Sequence, residues 1–157
     1  MIRPGEKLDT SFSLKVVQAG VAREVVFRDL LTRPVIVSVY MKNNTPSCDR
    51  QNDSLVAHAA EFDRLGYHLV ALSRDTCGSH LKYAAKKAVG YTLASDPADA
   101  FARAAGSIVQ KSMYGKTYLG PARAAFVIAR DGTVLAVIEK VDTADHSGQI
   151  RAVLAAL

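Results

Sequence analysis

Apolar positions along this chain follow two periods, and the changes between them mark out its elements. Val35-Ile36-Val37-Ser38-Val39-Tyr40 is an almost unbroken β-branched run, the pattern of a strand buried on both faces. Tyr67-His68-Leu69-Val70-Ala71-Leu72 repeats it. Between them Cys48, Leu55, Ala59 and Phe62 share one helical face, which predicts a helix from about 46 to 64 with Thr45 as N-cap, Pro46 in the first turn and Gly66 as its stop. A second helix, capped by Thr76 and running to about Val89, carries Leu81, Ala84, Ala85 and Ala88 on one face and is closed by Gly90. Thr92-Leu93-Ala94 reads as a brief edge strand, and Asp96-Pro97 opens a further helix through Phe101 to Ala105, ended by Gly106. Upstream, Phe12 to Val17 and Glu24 to Phe27 form an N-terminal hairpin turning near Gly20. From Ser107 to Ala122 Gly, Lys, Ser and Tyr come without a clear period, so this segment reads as a long loop, a kind that is usually functional in compact domains. Ala124 to Ala129 and Thr133 to Val141 are strands joined at Asp131-Gly132, and Ile150, Val153, Leu154 and Leu157 mark a last amphipathic helix.

Two strand–helix–strand units supply parallel pairing and the late hairpin supplies antiparallel strands. The expected fold class is therefore α/β, a mixed central sheet flanked by helices on both faces, in a single domain over 1–157. The formal charge is +5, but the basic residues are scattered and no aromatic cluster accompanies them, which argues against nucleic acid as a partner. No apolar signal region opens the N-terminus and no run approaches the roughly 18 residues of a membrane span, so the expectation is a cytoplasmic protein without a membrane partner. In that compartment two cysteines are read as free or catalytic rather than as a structural bridge. The four histidines are dispersed and no Cys/His/Asp cluster has ligand spacing, so neither a metal nor a cofactor is expected.

One junction carries chemistry. In Met41-Lys42-Asn43-Asn44-Thr45-Pro46-Ser47-Cys48-Asp49-Arg50-Gln51 a buried strand stops, the chain turns, and a helix starts just before a lone cysteine. A helix start offers free N–H groups and partial positive charge, and both favour a thiolate over a thiol. Cys48 is thus placed to be reactive. A buried apolar role, the common fate of a free cysteine, sits badly with so polar a turn.

The stretch resembles the peroxiredoxin active-site motif, Pro-x-x-x-Thr-x-x-Cys: Thr45 and Cys48 match, and Met41 stands in place of the proline. The segment from Lys111 to Ile128, with Lys-Ser-Met-Tyr-Gly-Lys at its start, is similar to that of the bacterioferritin comigratory protein (peroxiredoxin Q) subfamily. Ser73-Arg74-Asp75 with Ser79-His80, and Ser95-Asp96-Pro97, are also similar to that subfamily. The resemblance implies a thioredoxin-like fold with an N-terminal β-hairpin extension. It also implies a thiol peroxidase for hydrogen peroxide and organic hydroperoxides, regenerated by thioredoxin or a similar thiol donor. The expected assembly is a monomer or weak dimer. Cys48 would be the peroxidatic cysteine, attacking one peroxide oxygen and becoming a sulfenic acid. Thr45 would orient the peroxide, and Arg123, at the start of a strand, would hold thiolate and peroxide together. Met41, Ser47 and Gln51 would line the substrate pocket; methionine shields like proline but is flexible, so the pocket is expected to be looser.

The thiolate sets the energetic demand. An unperturbed thiol with pKa near 8.5 is only about 3% ionised at pH 7, and lowering that pKa to about 6 needs roughly 3.4 kcal/mol of differential stabilisation. A helix start contributes about 0.3–1 kcal/mol, up to about 2 when partly buried, so a nearby guanidinium is required. The subfamily's resolving cysteine stands either five residues after the peroxidatic one, here Asp53, or in the helix after the next strand, where Cys77 lies about two turns early. Cys77 is the candidate resolving residue; the alternative is a one-cysteine enzyme in which Cys77 is simply buried. Two other functions compete: a redox-sensing or protein-binding module with little turnover, and a disulfide reductase, which the absence of Cys-x-x-Cys disfavours.

Overall fold

The computed structural model describes all residues from Met1 to Leu157. Strands β1 (Ser13–Gln18) and β2 (Val21–Val26) make an N-terminal hairpin, and a 3-10 turn over Phe27–Leu30 leads into β3 (Val35–Val39). Then follow α1 (Pro46–Arg64), β4 (His68–Ser73), α2 (Cys77–Lys87), β5 (Thr92–Ser95) and α3 (Ala100–Ala104). The chain ends with β6 (Ile108–Met113), β7 (Lys116–Pro121), β8 (Ala125–Ile128), β9 (Val134–Ile138) and α4 (His146–Ala155). Seven strands form one mixed sheet in the order β2-β1-β5-β4-β3-β8-β9. The strands β3, β4 and β5 run parallel, joined by crossovers through α1 and α2, and the others pair antiparallel.

Because side chains alternate across a strand, the sheet divides the interior in two. On one face Ile36, Leu69, Ala71, Leu93 and Val127 pack against Cys48, Leu55 and Phe62 of α1, Tyr83 of α2 and Ile150 of α4. On the other, Val35, Val37, Val39, Val70 and Leu72 pack against Phe27, Leu30, Phe101 and Ala105. Phe27 and Phe101 lie 5.6 Å apart between centroids, and Phe101 and Phe126 lie 5.3 Å apart in an edge contact. Each such buried side chain contributes about 1.5–3 kcal/mol of burial free energy, which is why this face tolerates no charge.

Four readings from the sequence need correction. The strand at 92–95 is not an edge strand: β1 folds back beside it, with Lys15, Val16 and Val17 opposite Ser95, Ala94 and Leu93. The helix expected from Asp96-Pro97 begins only at Ala100, because the Asp96 carboxylate accepts from the N–H groups of Ala100 and Phe101 at 2.9 Å each and holds the intervening residues outside the helix. Ala88 rather than Gly90 ends α2, in a left-handed conformation with φ 54. The long loop expected over 107–122 is the β6–β7 hairpin, with Lys111 opposite Tyr118, standing outside the main sheet. Its turn places Tyr114 (φ 52) and Gly115 (φ 76) both at positive φ, the geometry of a two-residue hairpin turn that Asn-Gly usually announces.

Candidate active site

Past the carboxyl ends of β3 and β4 the chain leaves the sheet and gathers polar side chains, at the usual place for chemistry in an open parallel sheet. Asn44 turns the chain at φ 62, a conformation asparagine accepts readily, and α1 starts at Pro46. Thr45 occupies the N-cap position by its backbone, but its hydroxyl makes no capping bond; it donates to the Lys42 carbonyl at 2.8 Å. The start of α1 is tied down by Asp49 instead, whose carboxylate accepts from the Asn44 N–H at 3.2 Å and from the Tyr83 hydroxyl at 2.7 Å.

Cys48 is 1% exposed. Arg123, in the segment between β7 and β8, donates from Nη1 to the Cys48 sulfur at 3.4 Å and to Gln51 Oε1 at 2.7 Å, and from Nη2 to Ser47 Oγ at 3.3 Å. One guanidinium therefore bridges three side chains of the first two turns of α1. Burial is the largest influence on the thiol and works against ionisation. The Thr45 hydroxyl, the backbone N–H groups of Lys42 and Met41 and the Arg123 charge outweigh it, and together they hold the Cys48 thiol below its ordinary range. The Thr45 hydroxyl has one proton and two acceptors near it, the Lys42 carbonyl and the sulfur; ionisation of the sulfur favours the second.

The remaining residues fall at different distances from this centre. Gln51, fully buried, turns its amide N–H to Ser38 Oγ at 2.9 Å and the Val39 carbonyl at 3.2 Å. Met41 packs against the cores on both faces of the sheet, and its sulfur accepts from Lys111 Nζ at 2.6 Å. Burial, together with the charges of Arg123 and Arg74, holds the Lys111 amine below its ordinary range. Cys77 is not in this group. It begins α2 and lines a cavity of about 380 Å³ with Leu14, Lys15, Ser95 and Asp96, on the β1–β5 side, and it forms no bond to Cys48. A hydrogen-bonded cluster ties the turn before α1 to α2. Asn43 accepts from the Tyr40 hydroxyl at 2.5 Å, donates to Ser79 Oγ at 3.1 Å and meets His80 Nδ1 at 3.1 Å, while its backbone N–H reaches Asp75 at 3.0 Å.

From the sequence Asp75, Ser79 and His80 stand out only as resembling the subfamily, without their link to Asn43, and Asp49, Ser38 and His146 do not stand out as supports of the site. Ser38 did carry a signal, since a hydroxyl inside an apolar strand needs a buried partner.

Comparison with known proteins agrees with this architecture. The family model described as the AhpC/TSA family matches residues 5–137. The peroxiredoxin Bcp of Xanthomonas campestris is 34% identical over 122 residues, covering 78% of this chain and 76% of its own. The peroxiredoxin Bcp of Escherichia coli is 30% identical over 123 residues, covering 78% of this chain and 79% of its own. The fold superimposes with a TM-score of 0.86 on the bacterioferritin comigratory protein of Xanthomonas campestris, 29% identical over 98% of both chains, in a structure concerned with its alkyl peroxide reduction activity. A lone cysteine under an arginine at a helix start, a thioredoxin-like sheet with an N-terminal hairpin, and these likenesses have one reading: the chain belongs to the AhpC/TSA family, among the peroxiredoxins of the bacterioferritin comigratory protein (peroxiredoxin Q) type.

Proposed function

We propose that the protein is a thiol-dependent peroxidase that reduces hydrogen peroxide and organic hydroperoxides through Cys48. The observation that carries this reading is the Arg123 guanidinium set 3.4 Å from a buried sulfur at the start of a helix. The Cys48 thiolate attacks one peroxide oxygen and the O–O bond breaks. The other oxygen leaves as alkoxide or hydroxide, takes a proton, and departs as alcohol or water, while the sulfur is left as a sulfenic acid. Arg123 neutralises charge at the sulfur and, with the Thr45 hydroxyl, positions the peroxide; Ser47 and Gln51 hold Arg123 to that task. No metal or cofactor takes part.

Cys77 resolves the sulfenic acid in this reading: its thiolate attacks the Cys48 sulfur, the S–O bond breaks, and the hydroxide takes a proton and leaves as water, giving a Cys48–Cys77 disulfide that thioredoxin or a similar dithiol reduces. The two cysteines are unbonded and lie at the starts of different helices, and a disulfide needs Cα atoms within about 7 Å, so in this reading the first turn of α1 unwinds for the bond to form. Two free cysteines suit a reducing cytoplasm, and we infer a monomer or weak dimer there, with neither nucleic acid nor membrane as partner. No helix is long and apolar enough to cross a membrane.

The test is peroxide consumption with thioredoxin and its reductase as donor, followed by mass spectrometry of protein treated with one equivalent of peroxide. Turnover with an intramolecular Cys48–Cys77 link is the expected result. Turnover with Cys48 sulfenic or sulfinic acid and no link would leave a one-cysteine enzyme, and no turnover would leave a redox-sensing module.

Met41 supplies a second prediction. Proline at this position would remove a backbone N–H that favours the Cys48 thiolate and would take away the sulfur that Lys111 bonds. Met41 also packs against both cores, which argues against the looseness expected of methionine. Met41→Pro is therefore expected to move the Cys48 titration upward and to leave the second-order rate with peroxide at or below wild type. A faster variant would mean that proline's shielding outweighs the lost donor.

A further inference from the structure

A buried histidine, His146, is joined to the candidate active site by an unbroken chain of hydrogen bonds. It opens α4 and is 0% exposed, as are Ser38 and Gln51. Arg123 Nη1 donates to Gln51 Oε1 at 2.7 Å, and Gln51 Nε2 donates to Ser38 Oγ at 2.9 Å. Ser38 Oγ lies 2.9 Å from His146 Nε2, and His146 Nδ1 lies 3.2 Å from Gln149 Oε1. Gln149 is fixed in turn: its Oε1 accepts from the Asp142 N–H at 2.9 Å and its Nε2 donates to the Lys140 carbonyl at 2.9 Å.

The donor and acceptor roles along this chain are determined. Guanidinium only donates, so Gln51 must present its oxygen to Arg123 and its NH₂ to Ser38. Gln149 accepts through Oε1 because its NH₂ is committed to a carbonyl, so His146 carries its proton on Nδ1. Nε2 of the neutral ring is then an acceptor, and the Ser38 hydroxyl donates to it, leaving the Ser38 lone pairs for Gln51. Burial, with the Arg123 charge, holds the ring below its ordinary pKa against the Gln149 hydrogen bond and the nearby Asp142 carboxylate, which keeps it neutral.

The position of the ring is built rather than incidental. Asp145 caps α4, accepting from the Gly148 N–H at 3.1 Å, and a side chain at 148 would run into that carboxylate. Ser147 binds α4 to α1, its N–H donating to Ser54 Oγ at 3.0 Å and its hydroxyl to the Ser54 carbonyl at 2.7 Å.

We propose that His146 is a positioning residue for the peroxidatic centre: its Nε2 lone pair orients the Ser38 hydroxyl, which orients the Gln51 amide, which holds Arg123 against Cys48. The proposal rests on the peroxidase reading only for its kinetic arm. Without the acceptor at 146 the Ser38 hydroxyl is free to turn its proton toward Gln51, whose NH₂ then keeps only the Val39 carbonyl as acceptor and whose oxygen is held less firmly against Arg123.

The experiment compares His146→Leu, which keeps bulk and removes the acceptor, with His146→Gln, whose Oε1 accepts from Ser38. The thiolate ultraviolet absorbance of Cys48 is followed against pH in a Cys77→Ser background, together with the rate of the peroxide step and thermal unfolding. For His146→Leu the thiol is expected to titrate about one pKa unit higher and the rate at neutral pH to fall about tenfold, while His146→Gln stays within about threefold of the parent. A merely structural histidine would lower the unfolding temperature of both variants and leave the titration in place. An unmoved titration in the leucine variant, or equal behaviour of the two, overturns the proposal. If His146→Leu does not fold, Ser38→Ala breaks the same chain one link nearer the site and is expected to move the titration in the same direction; an unmoved titration there overturns the proposal as well. Should the wild type not reduce peroxide, the peroxidase reading falls, and the titration still decides the role of His146.

Discussion

Replacing Cys48 with serine is expected to lower the peroxide-dependent rate at least about a hundredfold while the protein stays folded. The two side chains are nearly isosteric, and the buried position keeps its hydrogen-bond donor in Arg123 Nη1. The chemistry differs entirely. The Arg123 charge and the surrounding N–H groups stabilise a thiolate, but they cannot ionise an aliphatic hydroxyl near neutral pH. Cys77 does not substitute, because it lies against β1 and β5 without the guanidinium. Peroxide consumption followed with an excess of thiol donor, alongside circular dichroism, decides the matter. A residual rate above a few per cent in folded Cys48→Ser protein would move the reacting sulfur elsewhere.

Arg123→Ala comes second in expected size. The substitution removes the donor to the sulfur, the donor to Ser47, and the partner of the buried Gln51 oxygen, whose loss alone costs about 1–3 kcal/mol of stability. With an opposing charge gone and burial unchanged, the Cys48 pKa rises. The thiolate fraction then falls at every pH below the new value, so the rate loss, at least about tenfold at neutral pH, is expected to shrink in alkali, where both proteins are ionised. Stability follows the same sign. A folded-state thiol pKa below the unfolded one gives a contribution that is complete above the unfolded value and is lost as pH falls through the folded value. Wild type should therefore gain stability with rising pH across this window, and Arg123→Ala should gain less. Alkylation rate against pH for the two proteins is the direct measurement; superimposable curves would remove Arg123 from the ionisation of Cys48. Arg123→Lys is expected to fall between, since an ammonium cannot address three acceptors from one plane.

How much of this was legible beforehand differs by element. Helix α1 is legible along its whole length, because Pro46, the apolar stripe through Phe62 and Gly66 all act locally. The fold class follows from the buried runs at β3 and β4. The place of β5 inside the sheet does not, because it depends on β1 returning across a long sequence separation. The β6–β7 hairpin stayed hidden because tyrosine stands where Asn would announce the turn, and because neither face is buried enough to impose alternation. At the site, the motif brought Thr45, Cys48 and Arg123 into view through resemblance, and the structure sets Thr45 and Arg123 beside the Cys48 sulfur. The link from Ser38 to His146, 108 positions apart, has no local signature beyond a hydroxyl stranded in an apolar strand.

The division of the interior by the sheet has a practical consequence for engineering. Phe12, Phe27, Phe101 and Phe126 pack together on the face away from Cys48, Gln51 and His146. Substitutions in that aromatic cluster change packing without touching any polar link to the sulfur, and effects at separated sites sharing no partner add to within about 0.5 kcal/mol. The protein can therefore be hardened against heat from one side of its sheet while its redox chemistry is tuned from the other, and gains made on the two sides are expected to combine freely.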